Sequence, residues 1–348
     1  MMLDQGAAGS PEKRDIRYRW TPRLRATREE ASCCVLAGMF DGVHKGHAQL
    51  LRAARAHADA EGLQLVAVTF DVDPASVASP RPSAPPLQTC WDRDMRLFSH
   101  GVDAVMTISA TWQLTEMAPS EFLDFVESEV QVRSAFAGEG LRFGSGRTGD
   151  CALLQRHGAA RGFDVSTVCH VECEKHEPVT SERVRTAVTA GELELASSLL
   201  GVAHEVTVDV LAFHSGLQTA YFKLPPNTAK PPRGRYVGRV RNLGYIPVLV
   251  DVMDERELSR IQHLPEAPVD SMSALYASPV AVELLSRQGV DAPARRVRRF
   301  AAADRELPQD VQQELAEGYE RLEREVIGEG VHEGFHAMLD RLAAKYRR

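Results

Sequence analysis

Two histidines near the start of the chain stand in a setting suited to phosphate chemistry. The stretch from Gly38 to His47 reads Gly-Met-Phe-Asp-Gly-Val-His-Lys-Gly-His. An apolar run, 33–37, precedes it and a run of helix formers, 48–54, follows it, which predicts a strand, a glycine-rich turn and a helix. Glycines let backbone approach a ligand, and a helix start offers N–H donors and a positive dipole end. We therefore expect an anion beside the imidazoles of His44 and His47.

This stretch resembles the His-x-Gly-His signature of the nucleotidyltransferase superfamily. The longer string Gly-x-Phe-Asp-Gly-Val-His-x-Gly-His is similar to that of bacterial bifunctional riboflavin kinase/FMN adenylyltransferases, or FAD synthetases. Further segments, 68–74, 142–150 and 180–185, resemble the family's Thr-Phe-Asp-Pro-His-Pro segment, its Arg-Phe-Gly-rich loop and its Ser-Ser-Thr-x-x-Arg phosphate motif. The resemblance covers 33–201, about half of the chain.

The resemblance implies transfer of AMP from ATP, with Mg²⁺, to FMN, which yields FAD and pyrophosphate. The catalytic residues that it implies are His44, His47, Ser181 and Arg185. The nucleotide is expected on Gly38, Met39, Phe40, Asp41, Gly42, His44, Gly46, His47, Thr180, Ser181 and Arg185. The acceptor is expected on Phe70, Asp73, Gly140, Arg142, Phe143 and Gly144. We expect the substrate phosphates and water to carry Mg²⁺, so no metal site made of protein ligands is predicted.

Several residues depart from the family pattern, mostly on the acceptor side. Val72 and Asp73 stand where the family commonly has Pro-His, and Gly140 stands where it often has Asn or Asp. Glu182 replaces the Thr of the phosphate motif. Two alternatives therefore stay open: a nucleotidyltransferase with another phosphate or phosphonate acceptor, and a non-catalytic sensor of nucleotide or flavin.

Strand and helix signals alternate through 32–201, the predicted nucleotidyltransferase domain. Apolar runs such as 65–70 and 104–108 are typical of strands buried on both faces. The pattern predicts an α/β fold with a doubly wound, Rossmann-like parallel sheet and a ligand at its central crevice. A proline-rich loop, 80–86, follows a strand end and is a candidate lid. Residues 1–31 lack periodicity and predict an irregular basic arm.

The resemblance fades beyond residue 201. The family's kinase domain is a β-barrel with a Gly-x-Pro-Thr-Ala-Asn signature, and we see no match to it between Val206 and Arg239, so riboflavin kinase activity is not expected. Short strand patterns predict a small β-rich region over 202–254, which is compatible with a remnant of that barrel. Residues 255–348 are predicted to be helical. The apolar face of that region is formed by Val311, Leu315, Tyr319, Leu322 and Val326.

Composition narrows the class of protein. The net charge of −7 over 348 residues argues against a nucleic-acid binder. No apolar run approaches the roughly 20 residues of a membrane span, and no signal peptide is apparent, so we expect a cytoplasmic enzyme that acts on small molecules. Six cysteines without a Cys-x-x-Cys predict reduced thiols. Whether the local clusters bind a metal stays open; they are Cys169, Cys173 and His176, and His332 and His336.

Overall fold

The fold is that of a computed structural model, which describes residues 16–22, 32–77, 84–169, 177–214, 219–241, 246–253, 259–263 and 280–287. Predictions for Pro80 and Pro82 of the lid, for Cys173 and His176, and for the C-terminal apolar face lie outside these residues. The chain divides into two compact units, Met1–Ser181 and Glu182–Arg348. Among the described residues, no helix is long and apolar enough to cross a membrane.

The first unit alternates strands with helices. Its strands are β1 (Tyr18–Pro22), β2 (Ser32–Ala37), β3 (Gln64–Phe70), β4 (Ala104–Ile108), β5 (Gln131–Gly138) and β6 (Asp164–Val168). Its helices are α1 (Lys45–Glu61), α2 (Pro74–Val77), α3 (Cys90–Ser99), α4 (Trp112–Thr115), α5 (Pro119–Glu129) and α6 (Cys151–Arg161). The next helix, α7 (Ser181–Ala190), begins at the last residue of this unit.

The described strands of the first unit form one sheet in the order β1-β4-β3-β2-β5-β6. All neighbouring pairs from β4 to β6 are parallel, whereas β1 runs antiparallel to β4 at the edge. The chain adds β3 and β4 on one side of β2 and then returns to add β5 and β6 on the other. The predicted mixed α/β fold with a parallel sheet is confirmed, and the ends of β2 and β5 meet where the direction of addition reverses, the place where such sheets bind ligands.

Both faces of this sheet are covered by helices. Cys34 and Leu36 of β2 belong to a buried cluster with residues of α1 and α3. Cys33 and Val35 belong to a second cluster, which contains residues of α4, α5 and α6. Successive side chains of a strand point to opposite faces, so a sheet covered on both sides needs a continuous apolar run. That requirement explains why the strand at 33–37 can be predicted from the sequence.

The predicted irregular arm, 1–31, contains a strand, which corrects the prediction for Tyr18–Pro22. Trp20 packs against the core of one face, and Arg19 donates to the buried carboxylate of Asp94 at 3.2 Å. This stretch has only five residues and ends in a proline, so it carries little periodic signal. The strand forms because the edge of β4 offers unpaired backbone groups. The local sequence does not predict that edge.

The second unit is built on an antiparallel sheet. Its strands are β7 (His204–Val208), β8 (Val210–His214), β9 (Thr219–Phe222), β10 (Gly234–Val240), β11 (Ile246–Val252), β12 (Ser259–His263) and β13 (Val280–Arg287). In the described part of this unit their order is β7-β13-β10-β11-β12-β9-β8. Helix α8 (Leu193–Leu200) places Leu193 in the buried cluster of this sheet.

Two predictions about the second half of the chain need correction. The region 255–348 is not helical at 259–263 and 280–287, where β12 pairs with β11 and with the more distant β9, and β13 pairs with the distant β7 and β10. Pairing with distant strands does not depend on a local pattern, so the local sequence predicts such strands poorly. The predicted domain limit at 201 also shifts, because α8 packs with the second unit and the compact units divide after Ser181.

A cross-strand ion cluster yields a test of the second sheet. Asp251 of β11 stands opposite Arg235 of β10 and Arg260 of β12, and its carboxylate accepts hydrogen bonds at 2.7 Å from each guanidinium. Burial by itself would raise the pKa of Asp251, but the hydrogen bonds and charges of Arg235 and Arg260 outweigh it and hold the pKa below its usual value.

We predict that Asp251→Asn lowers the free energy of unfolding of the second unit by about 1–3 kcal/mol at pH 7, because both guanidinium groups lose a charged acceptor. A carboxylate with a lowered folded pKa stabilises above its unfolded pKa of about 3.9, and that stabilisation is lost as the pH falls through the folded pKa. Urea unfolding of wild type and variant should therefore differ at pH 7, and the difference should shrink as the pH falls below the unfolded pKa and through the folded pKa of Asp251. Asp164→Asn, at an exposed position, is the control, and a difference that does not shrink as the pH is lowered would contradict the assignment.

Candidate active site

A cavity of about 760 Å³ lies at the carboxyl ends of the parallel strands of the first unit. The ends of four strands reach it, at Ala37 of β2, Phe70 of β3, Gly138 of β5 and Val168 of β6. Every residue that lines it belongs to the first unit. Its volume is within the range of about 300–1,000 Å³ that is usual for small-molecule sites.

The cavity brings together most of the predicted site residues, although they are far apart in sequence. Those predicted for the nucleotide that line it are Gly38, Met39, Phe40, His44, Gly46, His47, Thr180 and Ser181. Those predicted for the acceptor that line it are Phe70, Asp73, Gly140, Arg142, Phe143 and Gly144.

The remaining predicted residues do not line this cavity. Asp41 supports the turn, since its Oδ1 accepts a hydrogen bond from the Leu87 N–H at 2.8 Å and its carbonyl oxygen accepts one from Ser181 Oγ at 2.8 Å. The carbonyl oxygen of Gly42 accepts a hydrogen bond from Arg96 Nη1 at 3.1 Å. These contacts give Asp41 and Gly42 a role in holding the turn in place.

Arg185 lies on α7 in the second unit, and its guanidinium contacts the carboxylate of Glu182. Glu182 is the residue that departs from the phosphate motif, and its side chain is 71% exposed. The departure therefore places a carboxylate beside the arginine of the motif, on the same helix.

The turn between β2 and α1 has an unusual backbone. Phe40, Gly42 and Val43 have φ angles of 52°, 78° and 41°. Positive φ is uncommon for a residue with a side chain and persists only where the surroundings fix it. Here the ring of Phe40 is fully buried, and Thr69 Oγ1 donates to the carbonyl oxygen of Met39 at 3.2 Å. The turn is thus locked onto the end of the sheet.

The locked turn places the two imidazoles against each other. The rings of His44 and His47 stack with centroids 3.8 Å apart and an interplanar angle of 18°. His44 caps α1, because its Nδ1 accepts the backbone N–H of His47 at 3.4 Å, which places the proton of a neutral His44 ring on Nε2. A Cβ on Gly46 would lie 3.1 Å from the His44 ring, so glycine is needed for this approach.

His47 is uncharged at neutral pH. Burial lowers the pKa of His47 well below its usual value, and the neighbouring His44 lowers it further. Its Nδ1 is buried without a hydrogen-bond partner in the described part of the protein. The imidazole of His47 is therefore suited to act as a neutral hydrogen-bonding group, and the positive charge that a polyphosphate needs must come from elsewhere.

The acceptor half of the cavity is aromatic. Phe122 of α5 stands between Phe70 and Phe143, with ring centroids 6.0 and 5.9 Å away. Leu114 and Leu141 add aliphatic surface. The sequence does not single out Phe122 or Leu114 as site residues, because apolar residues of a core and of a site look alike in a sequence. This half suits a planar, largely apolar ring system.

A glycine-rich loop closes the acceptor half. Gly144 has φ 69°, and a Cβ there would lie 2.6 Å from Pro119 at the start of α5. Ser145 N–H donates to the Met117 carbonyl oxygen at 2.7 Å, and Phe143 and Gly149 form an antiparallel bridge. The loop thus lines the cavity with the residues expected to bind the acceptor.

The cavity offers few protein ligands for a metal. Asp73 is the one carboxylate among its lining residues in the described chain, and its Oδ1 accepts the Ala75 N–H at 3.0 Å. Hydroxyl groups of Thr115, Thr180 and Ser181 are the other hard side-chain oxygens among the described lining residues. This set fits Mg²⁺ carried by substrate phosphates and water better than a cage of protein ligands. Cys169 is exposed and lines the cavity, while the other predicted cluster residues lie outside the described chain.

Elsewhere in the described residues, the carboxylates of Asp124 and Glu127 and the imidazole of His157 are close enough to share a metal ion. Both carboxylates already form ion pairs with the guanidinium of Arg161, which joins α5 to α6. The cluster is satisfied as a structural network and lies outside the cavity lining.

Comparisons with known proteins agree with the geometry. Residues 26–183 match the family described as FAD synthetase. The bifunctional riboflavin kinase/FMN adenylyltransferase of Escherichia coli K12 is 26% identical over 294 residues, which cover 82% of this chain and 92% of that protein. The protein of the same description from Listeria monocytogenes is 29% identical over 210 residues, 59% of this chain and 66% of that one.

A solved structure from Streptococcus pneumoniae titled as a macrolide-efflux protein superimposes with a TM-score of 0.65 at 22% identity. It covers 80% of this chain and 93% of that one, and at this identity it supports the fold alone. The match to the Escherichia coli protein spans more of the chain than the half predicted, so the similarity continues into the second unit. These findings support a nucleotidyltransferase, and the segment 26–183 is similar to the FAD synthetase family.

Proposed function

We propose that this protein transfers AMP from ATP to FMN, or to a closely related flavin phosphate, and releases pyrophosphate. The observation that carries the proposal is that one cavity joins the histidine turn to an aromatic half bounded by a glycine-rich loop. Relatives named for FMN adenylyltransferase activity support it. In fold terms, we propose a Rossmann-like nucleotidyltransferase domain followed by a kinase-like barrel.

In the proposed reaction, a phosphate oxygen of the acceptor attacks the α-phosphorus of ATP and the bond to the pyrophosphate oxygen breaks. The nucleophile is already an anion, so the protein has to position two anions and stabilise developing charge. His44 and His47 would donate hydrogen bonds to α- and β-phosphate oxygens, assisted by backbone N–H groups at the start of α1. Mg²⁺, when bound to the phosphates, would neutralise part of their charge.

The other end of the triphosphate would lie on the segment that leads into α7. Thr180 and Ser181 line the cavity, and Ser181 Oγ donates to the carbonyl oxygen of Asp41. That hydrogen bond ties this segment to the histidine turn, so the two phosphate-binding segments are held together. The resemblance implies a charge-assisted hydrogen bond from Arg185 to the departing pyrophosphate, and that role stays a prediction.

A different acceptor remains the second candidate because of specific features of the acceptor half. Gly140 offers no side chain to hydrogen-bond a flavin ring, Val72 is 49% exposed, and the Asp73 carboxylate is engaged at the start of α2. A site that lacks a polar bond to its ligand discriminates weakly among related ligands. These features favour a permissive or retuned acceptor side.

One incubation separates the candidates. Purified protein is mixed with ATP, Mg²⁺ and FMN, and both pyrophosphate and FAD are assayed. Equal amounts of both products support the proposed function. Pyrophosphate release only with another phosphate or phosphonate acceptor supports the second candidate, and nucleotide binding without turnover indicates a non-catalytic sensor.

We predict that His47→Ala lowers the turnover number about 10²–10³-fold while the fold persists, because a preorganised donor at the phosphates acts mainly in the transition state. His57→Ala, on the same helix but away from the cavity lining, is the control and should keep its activity. Steady-state kinetics together with a thermal unfolding curve make the comparison. Turnover of His47→Ala within a few-fold of wild type would refute the role of His47.

The second unit carries a degenerate form of the kinase signature. The chain reads Gly-Leu-Gln-Thr-Ala-Tyr from Gly216 to Tyr221, which keeps the Gly, Thr and Ala of Gly-x-Pro-Thr-Ala-Asn but has Gln218 and Tyr221 for Pro and Asn. This segment corrects the expectation that nothing between Val206 and Arg239 resembles the signature. Loss of the Asn amide removes a polar group that a kinase site could use.

We therefore predict that the protein makes no FMN from riboflavin and ATP, because the signature has lost two of its fixed residues. Chromatographic assay of FMN tests this against a mock-purified control. FMN formation above that control would show that the degenerate signature still supports phosphoryl transfer.

Acceptor choice can be tested at Gly140. Gly140 is not among the glycines with positive φ in the described chain, so a side chain is compatible with its backbone. We predict that Gly140→Asn raises kcat/KM for FMN relative to flavin analogues and leaves KM for ATP unchanged, since it supplies a hydrogen-bonding amide. Gly140→Ala controls for the backbone. Equal loss of activity in both variants with every acceptor would mean that Gly140 is a backbone requirement.

A further inference from the structure

The electrostatics of the cavity leave one requirement of the proposed reaction unmet. Two anions, ATP and the acceptor phosphate, must meet beside a turn whose His47 is neutral. Among the lining residues in the described chain, the charged side chains apart from histidine are Asp73, Arg142 and Arg147. A carboxylate repels phosphate, so among the described lining residues the two arginines are the side chains that can supply a full positive charge beside the histidines.

Arg147 is the better placed of the two. Arg142 Nη1 donates to the carbonyl oxygen of Leu141 at 2.7 Å. In the described part of the chain, no hydrogen bond or ion pair engages the guanidinium of Arg147, which is exposed at the cavity. Guanidinium presents a planar set of donors that matches phosphate oxygens.

The backbone at Arg147 is unusual as well. Its φ is 58°, which lies in the left-handed region. A residue with a side chain adopts that region at a cost of about 1–3 kcal/mol. Glycine would avoid that cost, and glycines stand nearby at 144, 146 and 149. A strained arginine whose guanidinium makes no hydrogen bond or ion pair within the described residues has no evident structural purpose.

The loop that carries Arg147 is fixed. Arg147 N–H donates to the Gly144 carbonyl oxygen at 2.9 Å, and Gly149 and Phe143 exchange hydrogen bonds of 2.9 and 3.1 Å. The same loop therefore holds an aromatic ring, Phe143, and a guanidinium on one cavity. A ligand made of a planar ring and a phosphate monoester is complementary to that pair.

We propose that Arg147 binds the phosphate monoester of the acceptor and makes the site prefer a phosphorylated flavin to an unphosphorylated one. The inference rests on the proposed function and adds a specificity-determining residue to it. The phosphate that Arg147 holds is the attacking group, so the guanidinium also offsets repulsion between acceptor and ATP.

The test compares FMN with riboflavin, which differ by the phosphate. Arg147→Met removes the charge at similar length, Arg147→Lys keeps the charge without the planar fork, and Arg156→Met, at an exposed position of α6, is the control. Binding of each flavin is measured by fluorescence quenching, and binding of ATP by calorimetry. For Arg147→Met we expect FMN affinity to fall about 10–100-fold, in line with loss of charge-assisted hydrogen bonds, and riboflavin affinity to stay within about twofold.

The affinity of Arg147→Lys for FMN should lie between that of wild type and that of Arg147→Met. Arg147→Gly guards against misfolding, because glycine adopts positive φ without strain. It should keep or raise the melting temperature and still lose the preference for FMN. In kinetics, both Arg147→Met and Arg147→Gly should raise KM for FMN more than KM for ATP.

The outcomes separate this inference from the proposed function. Three results for Arg147→Met would each overturn the role of Arg147. They are an equal loss of affinity for FMN and riboflavin, an unchanged affinity for FMN, and a loss of affinity for ATP alone. If wild type binds neither flavin, the proposed acceptor is refuted and this inference falls with it. If wild type binds FMN with the expected dependence on Arg147 but forms no FAD, the proposed chemistry fails while the phosphate site stands.

Discussion

The site depends on the left-handed turn between β2 and α1. Phe40, Gly42 and Val43 all have positive φ, and the buried Phe40 ring and the hydrogen bond from Thr69 hold them there. Only this path brings the chain out of the sheet and into α1 with His44 capping the helix and His47 stacked on it. Strain at the turn is thus balanced by packing at the end of the sheet, which is how functional sites commonly retain an unfavourable backbone.

The same packing decides the electrostatics of the cavity. Burial keeps His47 neutral, so this imidazole contributes hydrogen bonds rather than a full charge, and the start of α1 adds its field. Cationic groups are instead placed on the glycine-rich loop, on the opposite side of the reversal point of the sheet from β3. With this division, one part of a cavity can recognise the geometry of a phosphate group while another part neutralises its charge.

The second unit shows how much of a fold can persist while a signature changes. Its antiparallel sheet is held by a buried cluster that includes Tyr236, Phe222 and Val250, and by the cross-strand pairing of Asp251 with two arginines. A barrel core and an active signature are separate requirements, so similarity to bifunctional relatives along most of the chain does not by itself carry both of their activities.

The sequence alone determined the local features: the strand, turn and helix around His44 and His47, the buried parallel strands, and the residue types expected at two halves of a site. These local features can be predicted because they depend on runs of neighbouring residues. Tertiary structure decided what depends on distant partners. It added β1, β12 and β13 as strands, showed Asp41 and Gly42 supporting the turn instead of lining the cavity, and brought Phe122 and Arg147 to it. An edge strand, a buried ring or a strained arginine acquires its role from what packs against it, and that information is spread over the whole chain.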